Sequence, residues 1–196
     1  MKIPILLRGG NYRCKLVGNP EIVKGERGKY FYINLYQSDY EKILTFPSGG
    51  YVINDINKYE NALAEFGENI IKILQKSQFR QGYKIYIKGS ADILGNQTFK
   101  TVFNNLFRYN RVCYYPHYKQ SSSLFVTKEM CVNIIEPITN DELPNLRAAF
   151  IQEKFENFYA PSIEKPKILE GTVTLDISEV DRNVVLLLFL PETFFN

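Results

Sequence analysis

One run, QGYKIYIKGSADILG from Gln81 to Gly95, constrains the fold of this chain more than any other. Tyr83, Ile85 and Ile87 alternate with Lys84, Tyr86 and Lys88, the period of two that marks a strand with one covered face. Gly89 then lets the backbone turn sharply, so the strand is expected to deliver the loop SADILG to a sheet edge. Asp92 would sit at the strand's carboxyl end. Ligands gather at that end of open α/β sheets, which makes a carboxylate there a candidate contact rather than an incidental surface charge.

The elements around this run follow from their periodicities. Residues 42–54 (KILTFPSGGYVIN) read as a first core strand and a loop. Asp55 caps a helix whose Ile56, Tyr59, Leu63, Phe66, Ile70, Ile71 and Leu74 recur at three- and four-residue steps, an apolar stripe that packs on a sheet. A second helix opens at NDELPNLRA, with Pro144 suited to its first turn and Asp141 and Glu142 near its positive end. It runs to about Tyr159 and buries Leu146, Phe150, Ile151, Phe155 and Phe158. ILEGTVTLDI gives a strand, and NVVLLLFLP, apolar without alternation, reads as a strand covered on both faces. Ahead of all this, Ile3–Leu7 and Lys29–Tyr36 look like strands separated by Gly- and Pro-containing turns.

Two short motifs carry a resemblance. GSADILG (89–95) and NDELPNLRA (140–148) are similar to GHTDxxG and NxxLSxxRA, the strand–loop and helix motifs of the OmpA-like domain, the periplasmic peptidoglycan anchor shared by OmpA, Pal and the flagellar stator protein MotB. Gly89, Asp92, Gly95, Asn140, Leu143, Arg147 and Ala148 match in order. The resemblance implies an α+β fold of order β-α-β-α-β-β, with helices on a mixed sheet over residues 41–196. Residues 1–40 form a β-rich extension without a family counterpart. Residues 96–139 are an insertion where the family needs only a few residues; FKTVFNNLFRYN suggests a helix, and CYYPHY and SLFVTKEMCVNII suggest a hairpin, together a lid, a docking surface or a mere elaboration.

Family members bind the diaminopimelate side chain of peptidoglycan stems, so the resemblance implies a non-catalytic wall anchor for an envelope complex. Its ligand is a zwitterion, and a carboxylate and a guanidinium on adjacent elements satisfy both ends of one. Asp92 would take the ammonium and Arg147 the carboxylate, with the Leu94 and Gly95 amides and the helix start at Asn140 and Leu143 adding donors. Ser90 and Ala91 stand where the family has histidine and threonine, so two polar groups are smaller or missing. The family's last strand opens with NRR or a close variant; here Asp181-Arg182-Asn183 places Arg182 and Asn183 as site neighbours. Other envelope proteins are the implied partners, and a homodimer is plausible because MotB-like relatives pair through this domain. The competing reading keeps the fold but makes a degenerate pocket part of a protein-docking domain.

Composition narrows the remaining classes. At 196 residues with 14 Tyr and 14 Phe, the chain is long enough for one well-buried α/β domain with an appendage. The net charge of +3 is uneven: residues 1–30 carry +5, residues 96–139 carry +3, and the remainder −5. Both basic parts lie outside the matching regions, and without a recognised motif no nucleic-acid partner is expected. Catalysis finds no support, because there is one histidine, His117, and no nucleophile elbow, phosphate loop or HExxH. No cofactor is implied. Cys14, Cys113 and Cys131 allow one disulfide and a leftover thiol, and C-x3-H-x13-C around His117 matches no common zinc spacing, so they read as buried thiols. The five-residue apolar run before Arg8 is too short for a signal peptide, and no 18-residue apolar span occurs. A periplasmic location therefore expects an export segment upstream, or none.

Overall fold

The computed structural model describes residues 12–18, 27–35, 46–53, 82–92, 98–99, 109–116, 128–135, 137–159, 165–174 and 182–194. The fold is mixed α+β. Its centre is a five-stranded sheet built from β1 (Tyr12–Gly18), β2 (Gly28–Leu35), β3 (Lys84–Ala91), β8 (Lys167–Val173) and β9 (Val184–Pro191), in the order β1-β2-β9-β3-β8. Only the β3–β8 pair is parallel; the other three are antiparallel. The last strand is thus the middle one. That position explains its composition, since Leu186 through Leu190 are all buried and contribute alternately to the two faces.

The two N-terminal strands continue this sheet, β2 pairing along β9 from Gly28↔Pro191 to Ile33↔Leu186. Strand β2 falls where KYFYINLY was read as a strand. The residues of the expected strand Ile3–Leu7, and of the expected helix from Asp55, lie outside the described residues. Of the segment read as a first strand and a loop, residues 42–45 and 54 lie outside the described residues; 46–53 hold a tight turn at 47–50, with the Gly50 amide donating to the Pro47 carbonyl at 3.0 Å and Gly49 at φ 66°. Phe46, Tyr51, Val52 and Ile53 of this segment are nonetheless buried in the main core.

Helix α1 (Leu143–Tyr159) packs on β3 and β8. Its start is organised by Thr139 and Glu142: the Glu142 carboxylate accepts from the Thr139 amide (2.6 Å) and hydroxyl (2.9 Å), while the Glu142 amide donates back to the Thr139 carbonyl. The exchange closes the turn before the helix, and the Glu142 carbonyl then accepts the first helical bond, from the Leu146 amide at 3.1 Å. Leu143 to Ile151 are buried without interruption, because the sheet covers one side and Phe46, Tyr51 and Val112 share the rest of the cluster. Phe46 meets Phe150 edge-on at 6.2 Å.

Two expectations about β3 need correction. Its alternation predicted one covered face, but Tyr86 is as buried as Ile85 and Ile87, joining Leu169, Leu187 and Phe189 in a second cluster on the opposite face. Nor does Gly89 turn the chain. The strand continues through Ala91, with a register shift between Lys88 and Ser90. A Cβ on Gly89 would run into the backbone of Pro144, and one on Gly171 would meet the Pro144 ring, so both glycines exist to let the start of α1 approach the sheet.

The insertion is closed at its base, where β4 (Thr98–Phe99) pairs with β7 (Ile138–Thr139). Within it β5 (Arg111–Tyr114) and β6 (Met130–Asn133) form the expected antiparallel hairpin. Most of the segment read as a helix, 100–108, lies outside the described residues. Cys113 and Cys131 are directly opposite and joined as a disulfide, which corrects the buried-thiol reading; Cys131 is exposed. Cross-strand pairing brings the two sulfurs together in a way spacing alone could not announce. Among the described residues no helix is long and apolar enough to cross a membrane.

Tyr109 ties the base of the hairpin to α1 by donating its hydroxyl proton to Glu153 Oε2 at 2.7 Å. Burial, then this bond, holds its pKa above the ordinary 10.0. The unfolded chain therefore ionises this tyrosine first, so its contribution is fully present below about pH 10 and is lost as pH rises beyond it. Urea denaturation across alkaline pH should show a shallower decline for Tyr109→Phe than for the wild type. Equal slopes would place the alkaline loss elsewhere.

Candidate functional site

Four stretches of chain converge at the carboxyl end of β3. Ala91 and Asp92 end that strand, Arg182 and Asn183 lead into β9, Asn140 precedes α1, and the turn around Pro47–Gly50 lies alongside. Seams between these stretches are closed by hydrogen bonds. The Ser90 amide donates to the Asn183 carbonyl (2.9 Å) and the Ser90 hydroxyl to Asn183 Oδ1 (2.9 Å). The Phe46 amide donates to the Arg182 carbonyl at 2.7 Å, and the Thr174 amide to the Ala91 carbonyl at 2.8 Å. Asp92 is thereby held in a frame that its own sequence neighbourhood does not contain.

Asp92 is 1% exposed and pairs with Arg182, whose Nη1 lies 3.5 Å from Asp92 Oδ2. Asn140 donates from Nδ2 to the Asp92 backbone carbonyl at 3.0 Å. Two further polar atoms here are buried and, among the described residues, lack any partner: Asn140 Oδ1 and Arg182 Nε. One is an acceptor and the other a donor. Buried groups of this kind are ordinarily satisfied, so these two atoms are exceptions to that rule.

Arg147 has a different place from the one expected for it. Its side chain is wholly buried, and its guanidinium donates to three backbone carbonyls, Nε to Gly50 (2.8 Å), Nη1 to Ser90 (2.7 Å) and Nη2 to Pro47 (3.3 Å). The Phe46 ring lies 5.4 Å from its central carbon. Burial lowers its pKa to about 10, with the Asp92 charge opposing that shift and the Arg182 charge adding to it. It remains a cation at neutral pH. The planar fork therefore fastens the 46–50 turn to β3 rather than presenting two parallel donors to a carboxylate.

The other expected site residues divide between the cluster and the core. Ser90, Asn140, Arg182 and Asn183 surround Asp92, whereas the Ala91 and Leu143 side chains are buried in the main apolar cluster. Leu94 and Gly95 lie outside the described residues, as does His117. The carbonyls of Pro47, Gly50 and Ser90 gave no sequence signal, because every residue has a carbonyl. Asn145 was also missed: its Oδ1 accepts from the Gly171 amide at 2.8 Å, fixing α1 to β8 where the glycines allow close approach. Cys113, Cys131 and Glu129 place their ligand atoms within 4.8 Å of one another, but the two sulfurs are bonded together and offer no thiolate to a metal.

No model of a known protein family matches the chain, and no curated protein matches it.

Proposed function

We propose that this chain is a non-catalytic, OmpA-like peptidoglycan-binding module that anchors an envelope complex to the cell wall by recognising the diaminopimelate stem. The observation that supports the reading is the pair of unsatisfied buried atoms, Asn140 Oδ1 and Arg182 Nε, on two residues that bond to Asp92. A free amino-acid end brings ammonium donors and carboxylate acceptors, the complements of those two atoms. In this reading Asp92 and Asn140 take the ammonium, and Arg182, the member of the ion pair with 17% of its side chain exposed, takes the carboxylate in place of Arg147. The Cys113–Cys131 disulfide is in keeping with an oxidising compartment such as the periplasm.

A second reading, a protein-docking domain with a degenerate pocket, is favoured by the engagement of Arg147 with backbone carbonyls. Retention on purified diaminopimelate-type sacculi separates the two. The wild type is expected to be retained saturably, and Asp92→Ala and Arg182→Ala to lower retention at least about tenfold, the scale of a lost charge-assisted contact. A wild type that washes through, or variants retained equally well, would leave the docking reading standing.

A further inference from the structure

A separate cavity lies at the opposite end of β8 from Asp92. Beyond β5, Tyr115 makes a single parallel bridge to Leu169: its amide donates to the Ile168 carbonyl and its carbonyl accepts from the Glu170 amide, both at 2.8 Å. No bridge continues it toward the start of β8, where the Pro166 carbonyl accepts instead from Gln152 Nε2 at 2.6 Å. Strand β5 pairs with β6, and residues of this hairpin, the start of β8 and α1 line a cavity of about 650 Å³.

The walls of this cavity are chemically uneven. Val112, Ala149 and Ile168 give it an apolar floor, and Tyr109 and Tyr115 give it two rings. Arg111, Lys165 and Lys167 bring three positive charges, with Lys167 Nζ held 5.6 Å from the Tyr115 ring centre. Two carboxylates, Glu129 and Glu153, line it too, so three positive charges face two negative ones, and Glu153 accepts the Tyr109 hydrogen bond. We propose that this cavity binds a small organic anion, a carboxylate or phosphate group carried on an aromatic or aliphatic body. The cationic side chains take the anionic group while the rings and the floor take the body; the size suits such a ligand.

Calorimetric titration with phenyl phosphate and benzoate, with inorganic phosphate for comparison, tests this. At least one organic anion should bind saturably at one site and more tightly than inorganic phosphate. Arg111→Glu and Lys167→Glu should each weaken it about tenfold, the scale of one charge-assisted contact, whereas Arg27→Glu, the same charge change on an exposed residue outside the cavity, should leave it within about twofold. Tighter phenyl phosphate or tighter benzoate binding then says whether the preferred head group is phosphate or carboxylate. The proposal is overturned if neither organic anion binds saturably, if inorganic phosphate binds as well, or if Arg27→Glu costs as much as the cavity variants.

Discussion

Arg147→Ala should lower the stability of the folded chain by about 3–5 kcal/mol, the range for removing one side of a buried ionic arrangement. The side chain is fully buried, and its loss takes a donor from each of the Pro47, Gly50 and Ser90 carbonyls, of which Pro47 keeps the Gly50 amide. Arg147→Lys should recover only part of this, since one ammonium cannot address three carbonyls spread around a planar fork. Chemical denaturation measures the effect directly. A wall-binding role for this guanidinium predicts the reverse pattern, unchanged stability with lost retention on sacculi, so one purified variant distinguishes a structural clamp from a ligand contact. The arrangement also explains why a cation is tolerated here at all: burial depresses its pKa to about 10, yet carbonyl dipoles and the Asp92 charge keep it ionised at neutral pH.

Gly89→Ala should cost about 2–3 kcal/mol, toward the upper part of the range for forcing one extra carbon into a packed interior. The new methyl would meet the Pro144 carbonyl, and backbone at the first turn of a helix does not yield as a side-chain tip does. Gly171→Ala should cost a comparable amount, because its new methyl would meet the Pro144 ring next to the backbone and the Gly89 carbonyl oxygen. The consequence extends to the site. Pushing the start of α1 off the sheet withdraws Asn140 from the Asp92 carbonyl, so retention on sacculi should fall together with stability in the Gly89 variant. Wild-type stability for Gly89→Ala would mean that helix and strand are not in contact at this point.

Strand β9, helix α1 and the β5–β6 hairpin were legible as elements because each is specified by local pattern. A continuous apolar run, a 3.6-residue stripe behind a proline in the first turn, and β-rich segments flanking a serine-rich turn need no knowledge of partners. Hydrogen bonds link Asp92 to Asn140 and Arg182, and Ser90 to Asn183, across three separated stretches of the chain.

What pattern could not supply was which backbone each element meets. Gly89 looks the same in a sequence whether it turns the chain or admits a helix, and only the approach of Pro144 decides. Tyr86 alternates like a solvent-facing residue, but β9 on one flank and β8 on the other bring Leu187, Phe189 and Leu169 onto its face. Cys113 and Cys131 become a disulfide because the hairpin register sets them opposite, and a register is a property of two strands. Arg147 shows the division most clearly. Its place on the helix was determined by the chain itself, while its role was decided by three carbonyls from two other segments, because a buried guanidinium must take whatever acceptors the tertiary fold puts within reach.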